Sequence, residues 1–193
     1  YARAAREAGF SGLFCQISDP VDQLSRFVFL ESNRDEAGRF DCGGLLPEQV
    51  QGYGLGVMAA RAAYYAEKEG VDFSQGRAYG PHGAGLVIAN APGDAYDEAL
   101  SLRLTKLARE ANLQVRALGY KPYIAPGLSS ACVSILQTLR GQWHLGAVPI
   151  RGVYFGCKNR FGPLGLELYA EDIHPGLRAR LEACYKELED FEA

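Results

Sequence analysis

The sequence predicts a mixed α+β fold, α/β in its opening part, with long helices packed on an antiparallel sheet. Three observations carry this. The stretch 94–118 places Leu100, Leu104, Leu107, Ala111 and Val115 at helical three- and four-residue spacing. The segments Val148–Phe155 and Leu164–Tyr169 alternate in the manner of antiparallel strands around a turn-rich stretch from Gly156 to Gly162. A last helix is expected from Pro175, where proline suits a first turn, to about Phe191.

The other elements follow in order. Tyr1 opens the chain inside an amphipathic helical string closed by Gly9, an opening expected of a piece of a longer protein. Gly12 to Ser18 is a short, nearly continuous apolar run bounded by Asp19-Pro20, which reads as a buried strand ending at a turn. Val21 to Leu30 has helical character, whereas Glu31 to Gly44 is polar, glycine-containing and aperiodic, as an exposed excursion would be. A strand is possible at Gln49 to Gly52, and helix resumes from Val57 to Lys68, broken by Gly70. From Val71 to Ala91 the pattern is strand, tight loop, strand, the loop being Tyr79-Gly80-Pro81-His82-Gly83. Pro122 and Pro126 separate the long helix from a second one expected over Ser129–Arg140.

Composition narrows the function classes. With 193 residues and 21.0 kDa the chain can bury a substantial core as one large domain or two small ones, so a minimal disulfide-stapled scaffold is excluded. Lys+Arg 20 against Asp+Glu 23 leaves a net charge of −3, and no basic field exists to neutralise nucleic-acid phosphates. Five scattered cysteines, never spaced as C-x-x-C, indicate neither a disulfide framework nor a metal site, and a reducing cytoplasm is the simplest compartment. No apolar run approaches the roughly 20 residues that cross a bilayer, and nothing resembles a secretory signal, so no membrane partner is expected.

Gly54-Leu55-Gly56-Val57-Met58-Ala59 matches G-x-G-x-x-A at a helix start, the pattern of a pyrophosphate cradle. The following candidate strand, from Val71 to Arg77, is too polar for a doubly wound sheet, and no βαβ unit closes around the motif. Small residues that let the helix pack closely at its entry are the better reading.

Three segments change the picture together: Ile17-Ser18-Asp19-Pro20-Val21-Asp22, then Gly44 to Gly54 with the helix carrying Arg61, then Tyr79 to Gly83. In that order they resemble the NAD-dependent L-lactate/malate dehydrogenase family, with its V-S/T-N-P-V-D turn, its G-L-P approach to an L-D-x-x-R helix and its G-x-H-G-D loop. The resemblance covers nearly the whole chain. It implies that residues 1–56 are the tail of a Rossmann-type NAD-binding domain and 57–193 the C-terminal catalytic and oligomerisation domain. The glycine-rich NAD fingerprint and the substrate-covering loop of that family would precede Tyr1. A homodimer or homotetramer, assembled through the helix carrying Arg61 and later helices, is also implied.

At matched positions the resemblance implies chemistry on a small 2-hydroxy or 2-oxo acid. His82 stands for the acid/base histidine, Arg61 for the arginine that grips the substrate carboxylate with a planar fork, and Ser18 for a cofactor contact. Lys121 and Pro122 lie where the family offers a substrate-binding residue. The departures are equally specific. Met58 occupies the place of the aspartate that orients the histidine, and a thioether cannot accept a strong hydrogen bond from an imidazolium. Asp19 replaces a substrate-binding asparagine, and an ionised aspartate donates nothing. Ala84 stands where the family has aspartate. Three readings follow: a hydroxy-acid dehydrogenase, a non-catalytic descendant kept as a binding module, or shifted chemistry in which Asp19 serves His82.

Overall fold

Asp19-Pro20 cannot continue a strand, and the chain turns there into a helix whose first residue is Val21. The computed structural model describes residues 1–119 and 124–191, with the backbone alone at 124–128. Lys121 and Pro122 therefore lie outside the described residues. The elements are α1 Ala2–Glu7, β1 Phe14–Gln16, α2 Val21–Ser32, β2 Val50–Gly52, α3 Leu55–Lys68, β3 Arg77–Tyr79, β4 Val87–Ala89, α4 Glu98–Ala117, α5 Ile124–Leu139, β5 His144–Ile150, β6 Val153–Gly162, β7 Gly165–Leu168 and α6 Pro175–Glu189. This is a mixed α+β fold.

One sheet runs β1-β2-β5-β6-β7, and β3 with β4 forms a separate antiparallel pair. Strands β1 and β2 are parallel, joined through α2, so their carboxyl ends lie at the same edge. The remaining neighbours in the large sheet are antiparallel, and Gly52 opposite Ala147 joins the two halves. Glu31 and Ser32 still belong to α2, and the excursion from Asn33 to Gly44 forms no helix or regular strand. It is tied down by the paired bonds of Arg6 to Asp41, 2.7 and 2.6 Å, and by Asn33 donating to the Leu45 carbonyl.

Three expectations are corrected. The segment Val148–Phe155 is not one strand but the tip of a hairpin, because Arg151 and Gly152 both take positive φ, +48° and +93°, as a tight two-residue turn demands. Gly156 to Gly162, expected as turn, is strand, and the real second turn falls between Gly162 and Gly165. Helix α5 begins at Ile124 rather than Ser129. Pro126 then sits in the first turn, where its missing N–H costs no helical hydrogen bond. The long helix is as expected but starts at Glu98, capped by the Asp97 carboxylate accepting from the Leu100 amide at 2.9 Å.

Three apolar clusters hold the elements. Leu55, Met58, Ala62 and Ala66 of α3 meet Ala78, Ile88, Leu104 and Ala108. On the other side of the β3-β4 pair, Tyr79, Val87 and Ala89 pack with Val153, Phe155, Leu177 and Leu188. Val21, Val28, Val50, Ala147 and Tyr154 fix α2 on the large sheet. The connection from Gly80 to Leu86 is thus held at both ends by core strands, and Gly80 donates to the Gly156 carbonyl at 2.9 Å.

Candidate active site

The carboxyl ends of parallel strands are where α/β sheets place their ligands, because helix N-termini and loops converge there. Three features meet at that edge. Asp19 follows β1 in the turn before α2. Gly54 follows β2 as the N-terminal cap of α3. The β3-β4 loop brings His82 against both.

His82 Nδ1 lies 2.5 Å from Asp19 Oδ1. An imidazole nitrogen that close to a carboxylate carries the proton and donates it, which leaves Nε2 as the basic nitrogen. Nε2 meets no hydrogen-bond partner among the described residues. The histidine side chain is 16% exposed and the aspartate 65%, so the pair stands at a rim with its carboxylate toward solvent. The turn is fixed from beneath, where the His82 amide donates to Asp22 Oδ2 at 2.8 Å. Asp22 is 1% exposed, and burial raises its carboxyl to about 7, against the lowering effect of that amide. Downstream of the histidine, Arg109 of α4 donates to the Ala84 carbonyl at 3.0 Å.

Gly54 explains itself at the same place. A Cβ there would come within 2.9 Å of His82 Cδ2, so a side chain would take the space of the imidazole. Gly56 likewise faces Ser134 of α5, with 2.8 Å from a would-be Cβ to Oγ. The G-x-G-x-x-A string serves close packing, as its sequence context suggested.

Arg61 is half-buried on α3, seven residues and about 10 Å along the axis from Gly54. Its Nη1 reaches the Ala108 carbonyl of α4 at 3.4 Å and lies 3.6 Å from Met58 Sδ. Among the described residues it pairs with no carboxylate. Met58 is a buried core residue and makes no hydrogen bond to His82. Ser18 is exposed at the end of the β1 segment, its carbonyl accepting from Gln16 Nε2 at 2.9 Å.

The structure therefore joins Asp19 to His82 and records no hydrogen bond between Arg61 and His82. Asp22 and Gly54 complete the site. Neither stood out as a site residue in the sequence, although Asp22 closes the same six-residue motif as Asp19 and Gly54 lies in the discounted glycine motif. Two cavities lie away from the histidine ring. One of about 410 Å³ sits between α3, α5 and β5, and another of about 520 Å³ between α4, α6 and Ala84-Gly85. Among the described residues no group of three His, Cys, Asp or Glu side chains could hold a metal ion. No helix there is long and apolar enough to cross a membrane.

The fold that brings the turn after β1, the start of α3 and the β3-β4 loop to one edge is shared with known structures. The malate dehydrogenase of Aeropyrum pernix superposes on 97% of the chain with a TM-score of 0.74 at 13% identity. Its fold is that of the malate and lactate dehydrogenases. The malate dehydrogenase of Picrophilus torridus gives 0.73 at 13% identity, and the minor L-lactate dehydrogenase of Enterococcus mundtii 0.70 at 18%, each again over 97% of this chain. The chain spans 64%, 62% and 67% of those three proteins' lengths. No protein-family model and no curated protein matches the sequence.

Proposed function

We propose that the protein to which this chain belongs is an NAD-dependent oxidoreductase of the lactate/malate type, acting on the CH–OH group of a small 2-hydroxy acid. The observation that supports it is the bond between Asp19 Oδ1 and His82 Nδ1 at 2.5 Å, made at the edge of a malate and lactate dehydrogenase fold although the family's orienting position holds Met58. A carboxylate on Nδ1 fixes the tautomer, aims Nε2 outward and stabilises the imidazolium once a proton arrives.

In the oxidation direction His82 Nε2 takes the substrate hydroxyl proton while Asp19 holds the charged ring. Arg61, having no carboxylate partner of its own, pairs with the substrate carboxylate through its fork. NAD, when bound, supplies the acceptor for the hydride leaving C2. The residues present fit part of that cofactor site, since β1, α2 and β2 form a parallel strand-helix-strand unit and Ser18 lies at its carboxyl edge. On this reading 1–56 is the tail of the NAD-binding domain and 57–193 the catalytic and oligomerisation domain. The outward Val133, Leu136 and Leu139 of α5, 61%, 49% and 69% exposed, suit a homodimer or homotetramer built on the later helices.

The test is NAD(H)-dependent turnover by the full-length protein on a panel of 2-hydroxy and 2-oxo acids. His82→Ala is expected to abolish it. Asp19→Asn is expected to lower kcat by about 10²-fold or more with little change in KM, because it removes the carboxylate that fixes the tautomer of a general base worth about 10²–10⁴-fold. Absence of any turnover that His82→Ala reduces overturns the proposal and leaves a binding module.

A further inference from the structure

Asp22 is the most deeply buried carboxyl group beside the dyad, and its two oxygens differ. Oδ2 accepts the His82 amide at 2.8 Å. Oδ1 is buried and has no hydrogen-bond partner among the described residues. Asp22 is 1% exposed and forms no ion pair among the described residues. Asp19, three residues earlier, carries the charge that pairs with the imidazole and opposes a second negative charge at Asp22. An unpaired buried oxygen is tolerable on a neutral acid and far more costly on an anion.

We infer that Asp22 is a positioning residue for His82, a carboxyl group that keeps its own proton on the acid side of neutrality while it holds the histidine's backbone, leaving Asp19 the single anion of the site there. The inference rests on His82 being the working base, as proposed above. The arrangement divides two tasks between two carboxyl groups on one turn. Asp19 sets the ring's tautomer and charge. Asp22 sets where the ring stands, because a backbone amide still donates to the carbonyl oxygen of a neutral carboxyl, though less strongly than to a carboxylate, and a neutral group adds nothing to the field that an anionic substrate must enter.

Three forces act against this assignment. Asp22 lies in the first turn of α2, where the helix dipole favours an anion, and the His82 amide and Asp22's own amide favour one too. Burial outweighs all three and raises the group to about 7. The titratable groups that reach it are Asp19, by its charge, and His82, through the backbone.

The experiment is NMR on the protein labelled with ¹³C at aspartate carboxyls and ¹⁵N at histidine, without substrate or NAD. The Asp22 carboxyl carbon is expected to titrate with a midpoint near 7 instead of the ordinary 3.8, and the His82 backbone amide to shift with it. His82→Gln retains that amide and is expected to retain the carboxyl step, which separates it from titration of the imidazole. Asp22→Asn, of the same shape and always neutral, is expected to keep the downfield Nδ1 proton of the carboxylate-bound ring, and Asp22→Ala to lose it. A carboxyl midpoint near 4, or an Asp22→Ala variant with an unchanged Nδ1 proton, overturns the inference. Should Asp22→Ala not fold, the carboxyl titration decides alone. None of these readouts needs turnover, so an inactive protein would sink the proposed reaction while leaving the role of Asp22 to be decided here.

Discussion

Gly54→Ala tests whether the helix entry and the histidine are one device. The new methyl carbon would stand 2.9 Å from His82 Cδ2, 3.2 Å from Cγ and 3.3 Å from Nε2. Carbon contacts are comfortable at about 3.5–4.0 Å, so the ring must withdraw by about 0.6–1.1 Å. Cδ2 and Nδ1 lie on opposite sides of the imidazole, and retreat from Gly54 drives Nδ1 toward Asp19, already 2.5 Å away. That bond has no room to shorten, being already below the about 2.7–2.9 Å usual for charge-assisted N–H···O contacts. Either Asp19 swings into solvent or the loop lifts. Overpacking of this kind costs about 1–3 kcal/mol, and a displacement near 1 Å at a reacting group costs on the order of 10²-fold in rate. Denaturant unfolding measures the first, and kcat/KM of the full-length protein the second. Gly56→Ala is the control. It meets the terminal Oγ of Ser134, which can rotate away, and alanine suits a helix better than glycine, so its stability should stay within about 1 kcal/mol of wild type. If Gly54→Ala matches Gly56→Ala in stability and leaves the His82 ring resonances in place, the packing argument is wrong.

Arg61→Lys keeps the charge but loses the planar fork, and is expected to raise KM for a 2-oxo acid about tenfold or more, about 1.4 kcal/mol, with a smaller change in kcat; equal KM values would remove Arg61 from carboxylate binding. Gly152→Ala forces a side chain into φ +93° at the β5-β6 turn and should lower unfolding free energy by about 1–2 kcal/mol, measurable as a lower denaturant midpoint with unchanged slope. Because burial raises Asp22 from 3.8 to about 7, the unfolded chain releases that proton first. Its contribution to stability is complete below pH 4, is lost as pH climbs toward 7 and stays lost above. Relative to Asp22→Asn, the wild type should lose up to about 4 kcal/mol across that window, about 1.4 per pH unit. A pH-independent difference between the two proteins would contradict the buried proton.

What residues in a row can determine was settled by the sequence. The amphipathic spacing from Leu100 to Val115 made α4, Asp19-Pro20 ended β1, and the glycine-rich stretch about His82 made a loop between two strands. Order and identity of the motifs around Asp19, Arg61 and His82 were enough to point to one family of folds, although each motif departs from the family's pattern. Turns were harder. Alternation about Arg151 looked like continuous strand, because the positive φ of two successive residues leaves no trace in apolar periodicity, and Pro126 looked like a boundary because its place within the helix depends on where the first turn begins.

The site itself needed tertiary structure. Asp19 and His82 are 63 residues apart, and Asp22 and the His82 amide 60. Those contacts exist because β1 and β2 are parallel, which puts the turn after β1 and the start of α3 at one edge, and because β3 and β4, held by their apolar residues between two clusters, project their loop onto that edge. The resemblance alone set Met58 where a carboxylate was expected. Only packing decided that Asp19 stands 2.5 Å from the imidazole of His82, close enough for the orienting role proposed for it.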